Sequence, residues 1–464
     1  MQLIKKTGLF LFILLFSNAY ATKLEDFKCH KCNVIFLNID LLRNDEVGII
    51  NNNSNLTPNI NNFFNNSIIF TNASSSSGVT AISNTATLTG KDGFFTYSLL
   101  KNTYVDNPPQ MPQSSLKLWQ SIPTIFEILK AEGYRTFNVN HGWYAGKQML
   151  LDRGVDFYWG TGEVDSPGSL PIVSIEKTAS LISNIDQSTS PFFLLLRSED
   201  LRGFPYRFPI NREKLLDSRV TYRSMDEKFF EIRYQINEEG TLREGYYSSE
   251  TAKWMSKDLL KEYSILSKKL YKQQVSYVDE NLKKIFDSFD NNLLNNSIIV
   301  LYSNHGDGLY DNGIPNHGVS YESCVSVPLL IRHPKIKSSL LVNKSIQLID
   351  LVPTILNMLD VKSYSEMDGT SLLKLLVDEN QNSKTIFGID KDSSYVKEGN
   401  FKLIIWSDRT KELYDLSIDP KEENNIINTR LDVAAKLENY LFVHQFEEHA
   451  KAQMKLTKFQ NIAK

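Results

Sequence analysis

The sequence has little of several features that would point directly to a function. Its 464 residues include only three cysteines, and the formal net charge at pH 7 is only −3. Because the charge is small and no basic stripe stands out, we expect no nucleic-acid partner. Beyond the N-terminus no stretch reaches the roughly 18 to 20 apolar residues that a membrane-spanning helix needs. We therefore expect no transmembrane anchor in the mature chain.

The N-terminus has the three parts of a secretory signal peptide. Lys5 and Lys6 precede an apolar run over residues 9–16, and Ala19-Tyr20-Ala21 matches the small-x-small cleavage rule. This pattern predicts a signal peptide over residues 1–21. The mature protein is then exported, and is either periplasmic or extracellular.

The cysteines are too few for a disulfide-rich scaffold, and their spacing limits other uses. Cys29 and Cys32 form the segment C-H-K-C. In an oxidising compartment we favour a local disulfide over free thiols, and both over a zinc site, which would need a second pair of ligands. Asn33 stands where a haem attachment motif has histidine. Cys324 is interpreted as a small, buried apolar residue.

The apolar pattern alternates between short continuous runs and longer segments with helical period. The predicted buried strands are residues 33–40, 67–73, 134–140, 191–198, 297–306 and 328–334, and the predicted helices are residues 121–133, 174–185 and 263–288. This alternation predicts an α/β fold with a doubly wound, mostly parallel sheet sandwiched by helices. In such folds ligands bind beyond the carboxyl ends of the strands.

The pattern also divides the chain. Residues 33–360 are predicted to form the main, catalytic domain, and residues 361–448 a small C-terminal α+β subdomain. The subdomain has short strand-like segments within residues 385–415 and a predicted helix over residues 430–448. Residues 449–464 are predicted to be a tail.

Polar residues follow several of the predicted strands. Asp40 follows the first strand, Asn304 and His305 follow the strand that begins at residue 297, and His317 lies shortly after them. Thr80 lies at the predicted start of a helix, where backbone N–H groups favour an anion. Asp40 could instead be a helix N-cap, and a single histidine could be structural. Because the chain has only seven histidines, two of them near one strand end favour a functional site.

In this order the segments resemble the sulfatase family of the alkaline phosphatase superfamily. The resemblance covers nearly all of the mature chain and includes NVIFLNIDLLRNDEVG, SNHGDGLYDNG, HGVSYESCVSVPLLIRHP and ELYDLSIDPKEENN. It implies an alkaline-phosphatase-like fold and the hydrolysis of sulfate or phosphate esters. It also implies one divalent cation with four candidate ligands, namely Asp40, Thr80, Asn304 and His305.

The resemblance also implies roles for two histidines beside the substrate. His317 falls where the family has a lysine or histidine that can protonate the leaving group or hold its oxygen. His141 lies near the family's other such position. For each of them the alternative interpretation is a structural hydrogen bond.

The nucleophile segment departs from the family pattern. The family reads Cys-x-Pro-x-Arg, in which Cys or Ser is oxidised to formylglycine, whereas residues 80–84 read TAISN. Threonine is not a substrate for that oxidation, so no formylglycine is expected. A sulfated formylglycine hydrate expels sulfate by re-forming its aldehyde, an exit that a sulfated threonine lacks. A phosphorylated threonine can still be cleared by water or by a second alcohol, so Thr80 is expected to act unmodified, with phosphoester or phosphodiester chemistry favoured.

The cation site departs from the family pattern too. Leu41 replaces a second aspartate after Asp40, and Asn304 stands where aspartate is usual. Fewer carboxylates predict weaker cation binding, and a nitrogen ligand favours Mn²⁺ or Zn²⁺ over Ca²⁺, although all three stay candidates.

A histidine-containing segment of the family is replaced by RSEDLRGFPY. Arg197, Asp200 and Arg202 stand there instead, and Arg202 is interpreted either as an anion clamp or as a salt-bridged surface residue. Residues 200–262, rich in charged and aromatic residues, are interpreted as a lid or an insertion. Loops of this kind carry substrate specificity.

Two hypotheses follow. The first is an exported sulfatase-family hydrolase or phosphotransferase that cleaves a small-molecule, glycan or lipid-headgroup ester through Thr80 and one divalent cation. The second is a catalytically silent family member that binds an anionic glycan or envelope component without cleaving it.

Overall fold

The computed structural model of the protein describes most of the chain. The described residues are 23–100, 119–140, 149, 151–160, 175–185, 190–201, 234–236, 242–244, 257–314, 316–362, 366–378 and 380–462. The predicted signal peptide, most of the predicted lid, His141 and Arg202 lie outside them. Among the described residues no helix is both long and apolar enough to cross a membrane.

Within the described residues the strands form one large sheet and two small ones. The strands of the main domain are β1 Asn33–Ile39, β2 Ile68–Ser74, β3 Arg135–Asn140, β4 Phe157–Gly160, β5 Phe192–Ser198, β6 Tyr234–Ile236, β7 Leu242–Glu244, β8 Ser297–Tyr302, β9 Ser326–Arg332, β10 Leu340–Val342 and β11 Ile346–Gln347. The large sheet has the order β10-β2-β9-β8-β1-β5-β3-β4, with β11 also paired to β2, and β6 and β7 form a separate hairpin.

The pairing in the large sheet confirms the predicted fold class. Its pairs are parallel except the two made by β9, which runs antiparallel to both β2 and β8. The direction of β9 was not predicted, because a continuous apolar run identifies a buried strand without indicating which way it runs.

Helices cover both faces of the large sheet. Their bounds are Pro58–Phe63, Thr80–Thr89, Gly93–Leu100, Ile125–Ala131, Ile175–Ser183, Lys257–Asp287, Asn291–Asn295, Glu322–Val325, Leu351–Met358, Leu373–Val377 and Leu431–Ile462, with 3₁₀ turns at Leu24–Phe27, Asn44–Glu46, Asp311–Gly313 and Leu348–Asp350. Within β1, Val34 and Phe36 face one core cluster, and Ile35 and Leu37 face the other. Residues 34–37 of this strand are all apolar because both of its faces are buried.

The C-terminal residues form an antiparallel sheet against a long helix. The strands are β12 Ile386–Ile389, β13 Ser393–Glu398, β14 Phe401–Trp406 and β15 Lys411–Asp415, paired in that order. β13 was not predicted, since its sequence SSYVKE is largely polar. The helix Leu431–Ile462 begins where the sequence predicts a helix and continues through residues that the sequence assigned to a tail.

A buried ionic cluster joins this sheet to the main domain. The Glu322 carboxylate accepts hydrogen bonds from Lys402 Nζ at 2.8 Å and from Lys397 Nζ at 3.1 Å. Burial alone would raise the pKa of Glu322, but the two ammonium groups outweigh it and lower that pKa to about 2. Glu322 therefore stays ionised at neutral pH and anchors the C-terminal sheet.

Two of the smaller predictions concern cysteine. Cys29 and Cys32 are joined in a disulfide, the alternative that the sequence favoured. Cys324 is buried, and burial raises the pKa of its thiol well above its usual range. It is a packed core residue, as predicted, and its raised pKa leaves it no thiolate for chemistry near neutral pH.

Candidate active site

The neighbouring strands β5, β1 and β8 bring four polar residues to one edge of the sheet, namely Asp40, Arg197, Asn304 and His305. β1 lies between β5 and β8, and the register pairs Asn38 with both Arg197 and Tyr302. Asp40 and Asn304 therefore each lie two residues beyond the same row of the sheet, at its carboxyl edge. The site forms where parallel strands end, as expected for this fold class.

Asp40 forms a fully buried ion pair. Arg197 Nη2 donates to Asp40 Oδ2 at 2.9 Å, and Arg197 Nη1 donates to Glu199 Oε1 at 2.7 Å. Neither the Asp40 nor the Arg197 side chain is exposed to solvent. Next to Asp40, Leu41 adopts the left-handed backbone region with φ of 67° and buries its side chain in the core. The pairing was not predicted, although an arginine inside the apolar run FFLLLRS was the available signal.

Thr80 begins a helix, as the sequence predicted. The helix Thr80–Thr89 is buried along its whole length and is built largely from short side chains, which let it lie close to the sheet. Asn84 on this helix accepts a hydrogen bond from Asn38 Nδ2 at 2.9 Å and so fixes the helix against β1. Only 4% of Thr80 is exposed, so its hydroxyl faces the interior of the site.

The Thr80 hydroxyl lies against His305. Thr80 Oγ1 and His305 Nε2 are 2.9 Å apart, and His305 Nδ1 lies 2.9 Å from the Gly306 carbonyl oxygen. A carbonyl oxygen only accepts, so we assign a proton to Nδ1, which in a neutral imidazole leaves Nε2 as an acceptor. The Thr80 hydroxyl therefore donates to Nε2. His305 Nε2 also lies 3.6 Å from Asp40 Oδ1.

His317 stacks on His305 and lies closer to solvent. The two imidazole rings stack with centroids 4.7 Å apart and an interplanar angle of 20°. The His317 side chain is 21% exposed, and its Nδ1 lies 3.8 Å from Asp307 Oδ1. His317 can therefore meet a ligand entering from solvent, whereas His305 is fully buried.

The four side chains predicted as cation ligands carry little negative charge. Asn304 is fully buried, and within the described part of the chain its side-chain oxygen and nitrogen have no hydrogen-bond partner. Such an orphaned amide suggests a further ligand beside it. In the same described residues no group of three or more His, Cys, Asp or Glu side chains converges. The set is thus one carboxylate, one imidazole, one amide and one hydroxyl.

The remaining predicted residues stand as follows. Asp200 is buried and accepts a hydrogen bond from Ser198 Oγ at 2.6 Å, which keeps it beside the end of β5. His141 and Arg202 lie outside the described residues, so their roles stay predictions.

Comparison with known proteins identifies the family. The model of the sulfatase family matches residues 32–361, which is most of the chain. The chain belongs to the sulfatase family. A second family model, described as the C-terminal part of N-sulphoglucosamine sulphohydrolase, matches residues 311–447. Members of the sulfatase family generally use a divalent cation, typically Ca²⁺ or Mg²⁺.

Individual relatives agree with this assignment. An arylsulfatase of Clostridium perfringens is 28% identical over 188 residues, which are 37% of this chain and 39% of that protein. Overall the chain spans about a third of the length of the curated relatives it matches.

Solved structures show the same fold over nearly the whole chain. BT4656, solved in complex with its substrate D-glucosamine-2-N,6-O-disulfate, superposes with a TM-score of 0.65 at 20% identity, over 91% of this chain and 98% of that one. The phosphonate monoester hydrolase of Agrobacterium radiobacter superposes with a TM-score of 0.64 at 15% identity, over 90% and 96%.

Proposed function

We propose that this sulfatase-family protein hydrolyses a phosphate or sulfate ester with unmodified Thr80 as the nucleophile, and that phosphorus is the preferred centre. The observation that carries the proposal is the 2.9 Å contact between Thr80 Oγ1 and His305 Nε2, with the ring tautomer fixed by Gly306. A hydroxyl becomes a nucleophile when an adjacent base accepts its proton.

The first step is in-line attack by Thr80 Oγ1 on phosphorus. The new bond joins Oγ1 to phosphorus, the bond from phosphorus to the ester oxygen breaks, and the Thr80 proton passes to His305 Nε2. His317, the more exposed histidine, gives a proton to the departing oxygen. Water then attacks phosphorus and gives up a proton to His317, the bond from phosphorus to Oγ1 breaks, and His305 returns its proton to Oγ1, so that phosphate leaves and the Thr80 hydroxyl is restored.

A divalent cation fits beside these residues. Asp40, Asn304 and His305 would hold it together with the Thr80 hydroxyl, and a bound cation would neutralise ester oxygens and favour ionisation of the nucleophile. His305 Nε2 has one lone pair, so it would either ligate the cation or accept the Thr80 proton. With a cation held there, the cation would favour ionisation of the Thr80 hydroxyl and water would take its proton. With one carboxylate in the set we expect weak binding, and the imidazole favours Mn²⁺ or Zn²⁺.

The choice of phosphorus over sulfur follows from the second step. A threonine esterified by sulfate has no aldehyde to re-form, so its sulfate would have to leave by direct attack of water. A phosphothreonine can be cleared by water or by an alcohol acceptor, which also allows transfer instead of hydrolysis. The substrate class we favour is a glycan or lipid headgroup that carries such an ester.

One observation favours a second function. The Arg197 guanidinium forms an ion pair with Asp40, which is the single aspartate among the proposed ligands. The next residue is Leu41, whose side chain is buried in the core and offers no carboxylate. Both features lower the negative charge available to a cation. A catalytically silent relative that binds an anionic glycan or envelope component is therefore the alternative proposal.

The test is a parallel assay of residues 22–464 on an aryl phosphate monoester, an aryl phosphodiester and an aryl sulfate, with Mn²⁺, Zn²⁺ or Ca²⁺. Thr80→Val keeps the shape of the side chain and removes the hydroxyl. Phosphoester turnover that is lost in Thr80→Val supports the proposal. Turnover that survives in Thr80→Val, or turnover of the sulfate alone, contradicts it, and binding without turnover favours the silent relative.

A further inference from the structure

A buried carboxylate of the C-terminal sheet contacts the segment that leads into Thr80. Asp390 follows β12 directly and is 2% exposed. Its Oδ1 accepts from Ser77 Oγ at 2.8 Å and from the Gly78 backbone N–H at 2.7 Å. Ser77 Oγ in turn accepts from the Val79 N–H at 3.0 Å. Since the helix begins at Thr80, these bonds fix the last turn of backbone before the nucleophile.

The same sheet holds the residues just before Ser77. The Ile389 N–H donates to the Ser76 carbonyl oxygen at 3.0 Å, and the Tyr395 hydroxyl donates to the Ser75 carbonyl oxygen at 2.5 Å. Residues 75–79, here called the serine loop, are therefore bonded along their length to β12, β13 and the turn between them. The position of Thr80 depends on the C-terminal subdomain as well as on the large sheet.

The second oxygen of Asp390 serves a different loop. Asp390 Oδ2 accepts from Ser320 Oγ at 2.9 Å, and Ser320 lies three residues after His317. Between them Gly318 has φ of 92°, a backbone region that side chains with a Cβ rarely adopt. We call residues 317–320 the His317 loop. Its shape is set by Gly318 at one point and by Asp390 at another.

The two loops also lie directly against each other. A Cβ placed on Gly78 would lie only 3.0 Å from both the Gly318 nitrogen and the Val319 carbonyl oxygen. Glycine at position 78 thus allows the close approach, and Asp390 bonds to both sides of the contact. One buried side chain therefore bonds both to the segment that precedes Thr80 and to the loop that carries His317.

We propose that Asp390 is a positioning residue for the reaction, holding Thr80 and His317 in a fixed relation through one carboxylate oxygen each. This inference rests on the proposed function. Asp390 bonds to Ser77, Gly78 and Ser320 and acts on Thr80 and His317 through the serine loop and the His317 loop. The C-terminal sheet therefore contributes to the geometry of the active site. A displacement of either loop by about 1 Å is expected to cost roughly a hundredfold in rate.

The test uses three variants that each remove part of this arrangement. Ser77→Ala removes the bond to Asp390 on the nucleophile side together with the bond that Ser77 Oγ accepts from the Val79 N–H. Ser320→Ala removes the bond to Asp390 on the histidine side together with the bond to Ser393 Oγ. Asp390→Asn keeps the shape with one acceptor oxygen fewer. Asp392→Asn is the matched control, because Asp392 is exposed and lies two residues away. The first readout is hydrogen–deuterium exchange by mass spectrometry, which needs no substrate.

The exchange readout separates positioning from local packing. Ser320→Ala is expected to accelerate exchange at least about threefold at the Gly78 and Val79 amides, although the Ser320 side chain makes no hydrogen bond to the serine loop in the described structure. Asp392→Asn should leave both amides unchanged. If Ser320→Ala leaves exchange at Gly78 and Val79 unchanged, the inference is wrong.

The kinetic readout applies once an ester is turned over. Ser77→Ala and Ser320→Ala should each lower kcat by about tenfold or more with KM within twofold, and the double variant should lose less than the product of the two losses, because both act through Asp390. Independent, multiplicative losses would overturn the inference. If wild-type protein turns over no ester, the proposed function fails and the exchange result alone decides the role of Asp390.

Discussion

The hydroxyl oxygen of Thr80 lies 2.9 Å from Nε2 of His305, at the point where a buried helix begins and a buried strand has just ended. Both groups are almost inaccessible to solvent, so the hydrogen bond does not compete with bulk water. In the reaction that we propose, the Thr80 proton therefore has an acceptor in place.

His317 should matter in proportion to how poor the leaving group is. His317→Ala is expected to lower kcat by about a hundredfold on an alkyl phosphoester, whose alkoxide needs a proton, and by less than about threefold on a nitrophenyl ester. His449→Ala is the matched control, because that histidine is exposed on the C-terminal helix. Equal losses on both esters would show that His317 does not protonate the leaving group.

Cation binding should depend on Asp40. Isothermal titration with Mn²⁺ or Zn²⁺ is expected to show one weak site in wild-type protein and at least about tenfold weaker binding in Asp40→Asn, because the only carboxylate of the set is lost. Asp45→Asn is the control, since the Asp45 carboxylate is half exposed and forms an ion pair with Arg43. Unchanged binding in Asp40→Asn would place the cation elsewhere.

Arg197 should be important for stability independently of catalysis. Arg197→Met leaves the Asp40 carboxylate buried without its guanidinium partner, which is expected to lower the free energy of unfolding by about 3 to 5 kcal/mol in urea. Adding Asp40→Asn should recover a large part of that loss. A surface pair gives the control: Lys455→Met, which removes the partner of Glu366, should cost less than about 1 kcal/mol. A loss equally small for Arg197→Met would contradict the energetic role of the ion pair.

Acid stability should depend on His333. Burial, reinforced by Lys335, lowers the pKa of His333 from 6.5 to about 4, and the Lys335 N–H donates to its Nδ1. Because the folded pKa lies below the unfolded one, His333 contributes stability that is complete above about pH 6.5 and is lost as the pH falls through about 4. A pKa difference of this size corresponds to about 3 kcal/mol.

The variant that checks this is His333→Gln. Urea unfolding measured between pH 7 and pH 4 should show a shallower fall in stability for His333→Gln than for wild type, while His449→Gln should follow wild type. If the curves of wild type and His333→Gln run parallel over this range, His333 is not the group that titrates.

The sequence predicted the core of the fold because its strongest signals are local. Runs such as VIFL at residues 34–37 are apolar at every position when a strand is covered on both faces. These strands were located within one or two residues, apart from the early end of β8 at Tyr302. β13 was missed, since its backbone pairing with β12 and β14 determines its conformation and its side chains do not.

Within the site, single residues were easier to predict than their partners. Asp40, Asn304 and His305 each follow a strand that the local apolar pattern identifies, so their position at one edge of the sheet could be inferred. The Arg197 contact to Asp40 and the Asp390 contacts to Ser77 and Ser320 join residues far apart in the chain. Such contacts depend on strand order and on the docking of the C-terminal sheet, which a single sequence does not specify.

The most direct test of the account is to trap the covalent intermediate. Wild-type protein is mixed with an aryl phosphoester and the cation, quenched in acid within the first turnover, digested, and analysed by mass spectrometry. We predict one added phosphoryl group on the peptide that carries Thr80, absent in Thr80→Val and diminished at long times as water clears it. Turnover with the phosphoryl group on another residue, or with no covalent adduct at any time, would contradict a threonine nucleophile.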